Sequence, residues 1–148
     1  MSTSYPVPRR SPAASAIYGL LNPIPFGFFV AGLVFDSTYA GSGNMLWAKG
    51  AAWLVTLGLV FALIPRLVNL AQVWITSRHT ALRAEKIDFW LNLAAIAVAV
   101  VNAFVHSRDA YSIIPAGVWL SAATVLLLSV SHVIIALRYV VPREHAHD

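Results

Sequence analysis

Four long apolar stretches, separated by short polar segments, constrain this chain more than any other feature of its sequence. The 148 residues are 59% hydrophobic and only 11% charged, whereas a soluble domain usually carries about 25% charged residues. One helix that crosses a hydrocarbon core of ~30 Å takes about 20 residues. The chain therefore has room for four crossings with short loops. The sequence predicts an all-α, polytopic membrane protein whose four transmembrane helices form a bundle.

Turn signals divide the chain into one membrane domain and two tails. Residues 1–12 are polar and rich in Pro, Ser and Arg, which predicts a flexible tail, and residues 142–148 form a second polar tail. Ser11-Pro12 is a helix-start signal, and the stretch that follows it to Leu21 is too short to span a bilayer. A single domain is therefore expected over residues 13–141, with a short N-terminal interfacial helix. Its predicted spans are residues 23–39, 45–65, 87–105 and 115–139.

Lys and Arg residues are unevenly divided between the two sides of the predicted bundle. Eight of the ten lie on the side of the two tails and the central loop, and only Lys49 and Arg108 lie on the other. Cytoplasmic loops carry an excess of Lys and Arg. This split predicts that both termini are cytoplasmic. It also accounts for the net charge of +4 without a nucleic-acid partner.

The third and fourth predicted spans each carry a stripe of small and polar residues at helical spacing. Small residues every four positions let two helices approach closely, and amide side chains can bond across such a contact. We therefore expect these two spans to pack through their stripes. The candidate helix-packing face consists of Asn92, Ala95, Ala99, Ala103, Gly117, Ser121 and Thr124.

Depth along the helices groups the remaining polar residues into two layers. Asp36 lies 13 residues after Pro23, roughly 20 Å into its span, and Asn102 lies 14 residues after Asp88 at about the same depth. The candidate outer polar cluster is Asp36, Lys49, Asn102, His106, Arg108 and Asp109. The inner layer is Arg66, Asn69, Asp88, Asn92 and His132.

Asp36 has two open interpretations. A carboxylate within a span is a functional candidate by default. A buried carboxylate also needs a partner to offset its desolvation, so Asp36 can instead hold the helix ends together by pairing with Lys49 or Arg108. The sequence leaves both interpretations open.

Catalytic signatures are missing from the sequence. It has no cysteine, and no Gly-rich phosphate loop, H-E-x-x-H or G-x-S-x-G occurs in it. We therefore predict a protein that is not an enzyme, with no catalytic or metal-binding residues and no cofactor; cofactor-binding residues are unknown. His106 ends the third span, whereas His132 lies 17 residues beyond Pro115, roughly 25 Å deeper. These two histidines cannot bind the same haem iron.

A family resemblance rests mainly on the segment from Asn102 to Ser121. Its residues there are Asn102, His106, Arg108, Asp109, Tyr111, Pro115, Gly117, Leu120 and Ser121. This pattern resembles the DUF2231 family of bacterial predicted inner-membrane proteins, and the resemblance covers about Tyr18 to Arg138. The chain looks like a divergent member, because many relatives carry histidines before the first span and at the start of the third. Here those places hold Asn22-Pro-Ile-Pro25 and Asp88.

The resemblance implies a small bundle in the bacterial cytoplasmic membrane without an established activity. Some relatives are linked to periplasmic sugar dehydrogenases of the quinoprotein type, which implies an anchoring or electron-transfer role. We predict an accessory or anchor protein that packs against a membrane or periplasmic protein, or against further copies of itself, in the lipid bilayer. The alternative is an electron-transfer subunit that binds b-type haem or is linked to quinone.

Overall fold

A computed structural model of the chain describes residues 23–70, 83–108 and 113–140. These residues form four helices: α1 (Pro23–Ser42), α2 (Met45–Leu70), α3 (Arg83–His106) and α4 (Ala116–Val140). Each includes a stretch of 20–22 residues that is long and apolar enough to cross a membrane, and the described residues contain no strand. The predicted all-α class with four spans is therefore confirmed. The predicted interfacial helix and both tails lie outside the described residues.

The four helices form two hairpins that pack side by side. α1 packs most extensively against α2, and α3 packs most extensively against α4. Smaller contacts between α1 and α4 and between α2 and α3 join the two hairpins. The α1–α2 and α3–α4 connections both lie at one end of the bundle, which we call the hairpin end. The opposite end, where α1 and α3 begin, is the open end.

Several helices extend beyond the membrane spans that the sequence predicted. α1 runs to Ser42 rather than residue 39, α2 continues through Pro65 to Leu70, and α3 begins at Arg83 rather than residue 87. α1 ends where Gly43 adopts φ 64°, a left-handed conformation that favours glycine. The Gly43 amide donates to the Tyr39 carbonyl at 2.8 Å. The predicted turn at residues 41–44 is therefore confined to Gly43 and Asn44.

Hydroxyl side chains in the apolar helices form hydrogen bonds with the backbone of their own helix. The hydroxyl group donates to the backbone carbonyl oxygen four residues earlier, at a distance of 2.7–2.8 Å. This bond is made by Ser37, Thr38, Thr56, Thr124 and Ser129. A bilayer offers no water to a lone hydroxyl, so this local bond lets such residues lie within a span. These hydroxyls therefore need no partner from another helix.

Aromatic rings of α1 fill spaces left by glycines of α2. A Cβ atom at Gly50 would lie 2.6 Å from the ring of Phe35, and one at Gly58 would lie 2.9 Å from the ring of Phe29. Any larger residue at these positions would push the two helices apart. Close contact within this hairpin fixes the rotation of α1, and with it the direction that Asp36 faces.

The interface of α3 with α4 is a regular seam. Its buried positions alternate spacings of three and four residues, the pattern of a coiled-coil seam. On α3 they are Asn92, Ala95, Ala99, Asn102 and His106, and on α4 they are Gly117, Ser121, Thr124, Leu128 and Ser131. Of the predicted packing face, Ala103 is only half-buried. Asn102 and His106, on either side of it in the sequence, occupy the seam instead.

Candidate functional site

One carboxylate of α1 lies inside the bundle, six residues before the helix ends. Asp36 is 1% exposed and shares the buried face of α1 with Phe29, Gly32 and Tyr39. Because α1 also contacts α4, this face points toward the α3–α4 seam. The side chains that meet it there are Asn102, His106 and Ser121. We call these four residues the Asp36 cluster.

The Asp36 cluster is one connected set of hydrogen bonds across three helices. His106 Nε2 lies 2.7 Å from Asp36 Oδ1, and Ser121 Oγ donates to Asp36 Oδ2 at 2.5 Å. Asn102 Nδ2 donates to Ser121 Oγ at 2.7 Å, and His106 Nδ1 lies 2.9 Å from the Asn102 carbonyl oxygen. Both carboxylate oxygens therefore have partners from the opposite hairpin. Among the buried side-chain nitrogen and oxygen atoms of the described residues, Asn102 Oδ1 is the one that accepts no hydrogen bond.

Gly117 lets the start of α4 pass directly over the imidazole of His106. A Cβ atom at Gly117 would lie 3.2 Å from His106 Cε1 and 2.7 Å from Ile113 Cγ2. Ile113 is 3% exposed and lies beside the same position of Gly117. The glycine therefore lets the start of α4 pack closely against the Asp36 cluster.

A second polar group lies at the open end of the same seam. Asn92 Nδ2 donates to the backbone carbonyl of Asp88 at 2.8 Å, to its carboxylate at 2.8 Å and to Ser131 Oγ at 2.6 Å. Ser131 Oγ also donates to Asp88 Oδ1. We call Asp88, Asn92 and Ser131 the Asp88 cluster. Unlike the Asp36 cluster, these three residues all come from the α3–α4 hairpin.

The two clusters share the same antiparallel register of α3 against α4. Asn92 bonds to Ser131, and Asn102 bonds to Ser121. A step of ten residues forward on α3 is thus matched by a step of ten residues back on α4. This spacing places the two amide–hydroxyl bonds roughly 15 Å apart along the helices. Two polar bonds of the same type therefore fix how α3 and α4 slide against each other.

The family profile of DUF2231, described as a predicted membrane protein, matches residues 15–135. This chain belongs to the DUF2231 family. The resemblance drawn from the residues is confirmed, and the matched range contains every member of both clusters. No match was found among curated proteins or among solved structures.

The structure brings together three of the six residues that were expected in the outer cluster of this DUF2231 protein. Asp36, Asn102 and His106 are in direct contact, whereas Lys49 and Arg108 are exposed. Asp109 lies outside the described residues. Lys49 misses the cluster because α2 buries Ala48 and Ala51, and the intervening lysine lies off that face.

Ser121 is the partner of Asp36 that sequence reasoning did not assign. It was expected on the packing face, and it does lie in the α3–α4 seam, but its hydroxyl also binds the carboxylate. One signal was available: Ser121 and Ser131 are separated by ten residues, as are Asn92 and Asn102. Of the inner layer, Asp88 and Asn92 meet, while His132 is half-buried with its ring edge-on to Phe26 at 5.2 Å. The side chains of Arg66 and Asn69 lie outside the described residues.

The order of groups in the Asp36 cluster limits its chemistry in this DUF2231 protein. A serine nucleophile is activated by an adjacent base such as histidine. Here Ser121 donates to the carboxylate, and the imidazole lies on the other side of that carboxylate. His106 is therefore not placed to accept the Ser121 proton. Both ring nitrogens of His106 are also engaged, so an iron ligand at this residue requires one of these bonds to break.

Proposed function

We propose that this DUF2231 protein is a non-enzymatic accessory or anchor protein of the bacterial cytoplasmic membrane. It packs against a membrane or periplasmic partner, or against another copy of itself, and stabilises it. The observation that carries the proposal is the enclosure of the candidate site. Asp36 is 1% exposed and both its oxygens bond to the protein's own side chains. A catalytic carboxylate has to reach a substrate, whereas this one joins two hairpins.

The outer surface of the bundle supports the same proposal. Three tryptophans are largely exposed there: Trp53 at 70%, Trp90 at 63% and Trp119 at 72%. Tryptophan is enriched at the interface of a bilayer with water and at the centre of protein interfaces. Trp119 lies at the hairpin end, whereas Trp90 lies near the open end. The two ends of the bundle therefore each present an aromatic anchor to a lipid or protein neighbour.

Purification in a mild detergent tests the proposal. The tagged chain, expressed in its bacterial membrane and extracted gently, should elute as a colourless complex. Its protein mass by light scattering should exceed that of one tagged chain, which is 16.0 kDa plus the tag. Trp53→Ala and Trp119→Ala, on the exposed surface, should reduce the fraction in the complex. Asp88→Asn, at a half-buried position whose side chain bonds within the α3–α4 seam, is the control and should not. A lone chain with a haem absorption band would support the electron-transfer alternative instead.

The proposal includes cytoplasmic termini, which the distribution of Lys and Arg supports. Reporter fusions after Gly43, Ser77, Ala110 and Val141 should report periplasm, cytoplasm, periplasm and cytoplasm in turn. A periplasmic signal from the fusion after Ser77 would show that the bundle is inserted the other way round.

A further inference from the structure

His106 meets an acceptor at each of its ring nitrogens. Nδ1 lies 2.9 Å from the Asn102 backbone carbonyl, which can only accept, so Nδ1 carries a hydrogen. Nε2 lies 2.7 Å from Asp36 Oδ1, and a bond of that length needs one proton between the two atoms. Ser121 donates to the other carboxylate oxygen, so both oxygens of Asp36 are placed as acceptors. The proton is therefore assigned to Nε2 of His106, and the pair is an imidazolium bonded to a carboxylate.

We propose that Asp36 and His106 form a proton-binding site within the membrane-spanning bundle, and that the bound proton holds the two hairpins together. The step is a simple dissociation. The imidazolium–carboxylate pair, with no net charge, releases one H⁺ and becomes a neutral imidazole beside a carboxylate, with a net charge of −1. No redox partner or further reactant takes part. The proposal is independent of any partner protein.

The charged groups around the Asp36–His106 pair do not compensate for loss of its proton. α1 contributes Tyr39, which is buried, and α2 contributes Lys49, which is exposed. α3 contributes Arg108, also exposed, and the described part of α4 near the pair contributes hydroxyls but no charge. Asp109 lies outside the described residues. Among the described residues, no buried cation is therefore available to neutralise a charge left on Asp36, and an unpaired charge is costly inside a span.

Proton loss acts on the contact between the hairpins. Asp36 belongs to the α1–α2 hairpin, and both its partners, His106 and Ser121, belong to the α3–α4 hairpin. Without the proton, the Nε2 lone pair faces a carboxylate oxygen at the same short distance, so attraction becomes repulsion. The side chains of His106 and Asp36 are 1% and 0% exposed, and His106 is the last residue of α3. Exchange of the proton with water therefore requires the hairpin end to open, and loss of the proton loosens the bundle there.

The first measurement follows the ring of His106 in the full chain, reconstituted in lipid nanodiscs. Nitrogen NMR on ¹⁵N-histidine-labelled protein distinguishes a ring with two N–H groups from a ring with one, and His106→Gln identifies the signal. At neutral pH we expect both ring nitrogens of His106 to be protonated, with loss of one proton as the pH rises. A ring with a single proton at neutral pH would overturn the proposal.

The second measurement follows the hairpins over the same pH range. The chain has no cysteine, so spin labels at Leu46→Cys on α2 and Phe104→Cys on α3, both largely exposed, report the distance between hairpins. This distance should lengthen at the pH at which His106 loses its proton. Labels at Phe104→Cys and Trp119→Cys, within one hairpin, are the control and should stay constant. An unchanged distance between positions 46 and 104 would also overturn the proposal.

Two substitutions separate proton binding from simple loss of folding. In Asp36→Asn and in His106→Gln, an amide can still donate or accept across the hairpins, but the pair no longer holds a dissociable proton. Both variants should keep the helical content of the parent and a distance between positions 46 and 104 that does not depend on pH. Asp88→Asn, in the other cluster, should keep the parent's pH dependence. A pH-dependent distance that survives Asp36→Asn would contradict the assignment to this pair.

Discussion

The two ends of the α3–α4 seam carry the same three residue types in different arrangements. At the open end Asp88 lies on α3 itself, four residues before Asn92, and its bonds to Asn92 and Ser131 lie within one hairpin. At the hairpin end the carboxylate comes from α1, and its bonds cross to the other hairpin. Asp36 is 1% exposed, whereas Asp88 is half-buried. Only the Asp36 cluster includes a histidine.

This difference shows that similar polar residues in a membrane bundle serve different purposes. The bonds among Asp88, Asn92 and Ser131 join α3 to α4, so they fix the register within one hairpin. The Asp36 cluster is assembled from three helices, so it exists only when both hairpins are docked. A carboxylate enclosed away from water also depends more strongly on its partners than one near an open end. We therefore expect the hairpin end to be the more sensitive to substitution.

Removal of the Asp36 carboxylate should destabilise the protein more than any other substitution considered below. Asp36→Ala leaves the imidazole of His106 and the hydroxyl of Ser121 buried without their acceptor, so it should lower the free energy of unfolding by about 3–5 kcal/mol. Asp88→Ala, at a half-buried position, should cost about 1 kcal/mol. Both changes in the free energy of unfolding are measured in detergent micelles, with unfolding monitored by circular dichroism. Equal losses for the two variants would remove the distinction between the clusters.

The seam between the clusters provides the next largest effect. Ala99 is 0% exposed and Val100, the next residue, is 39% exposed. Ala99→Leu should force α3 away from α4 and cost about 1–3 kcal/mol, while Val100→Leu should stay within about 0.5 kcal/mol of the parent. Thermal unfolding of the two variants in the same detergent makes the comparison. Matching transition temperatures for the two variants would show that Ala99 is not in a tight seam.

Substitution of Gly117 tests how closely α4 approaches the Asp36 cluster. Gly117→Ala adds a methyl group that meets Ile113 and His106, and it should cost about 1 kcal/mol because Ile113 can shift to accommodate it. Gly41→Ala is the control at the same end, since its Cβ atom meets nothing within 4 Å. The control should leave stability unchanged or raise it by up to about 1 kcal/mol through helix propensity. A Gly117→Ala protein as stable as the control would contradict the close approach of α4 to His106.

The smallest expected effect is the energy of each register bond. Double-mutant cycles to alanine at Asn92 with Ser131 and at Asn102 with Ser121 should each give a coupling of about 0.6 kcal/mol, the average for such bonds in membrane proteins. The two values should be similar because the two bonds join the same residue types in the same register. A coupling above about 1.5 kcal/mol at Asn102 with Ser121 alone would mean that this bond also supports the Asp36 carboxylate.

Much of the site was within reach of sequence reasoning. Counting residues along each span placed Asp36 and Asn102 at one depth, and the structure joins them through Ser121. The same counting also placed Lys49 near Asp36, yet Lys49 is exposed. Depth follows from the rise per residue, which is constant in a helix. Rotation about the helix axis is set by packing, here by Ala48, Ala51 and Val55 on the buried face of α2.

Four helices long and apolar enough to span a membrane are predictable from the sequence of this DUF2231 protein, because a bilayer fixes the length and apolarity that each span requires. Most of the residues through which α3 and α4 face each other are also predictable, because their spacing follows the helical repeat; the half-buried Ala103 is the exception. The pairing of Asp36 with His106, rather than with Lys49 or Arg108, is set by the tertiary structure. That choice depends on how two hairpins dock. Docking is decided by contacts between residues far apart in the chain, such as Asp36 with Ser121, which no local pattern encodes.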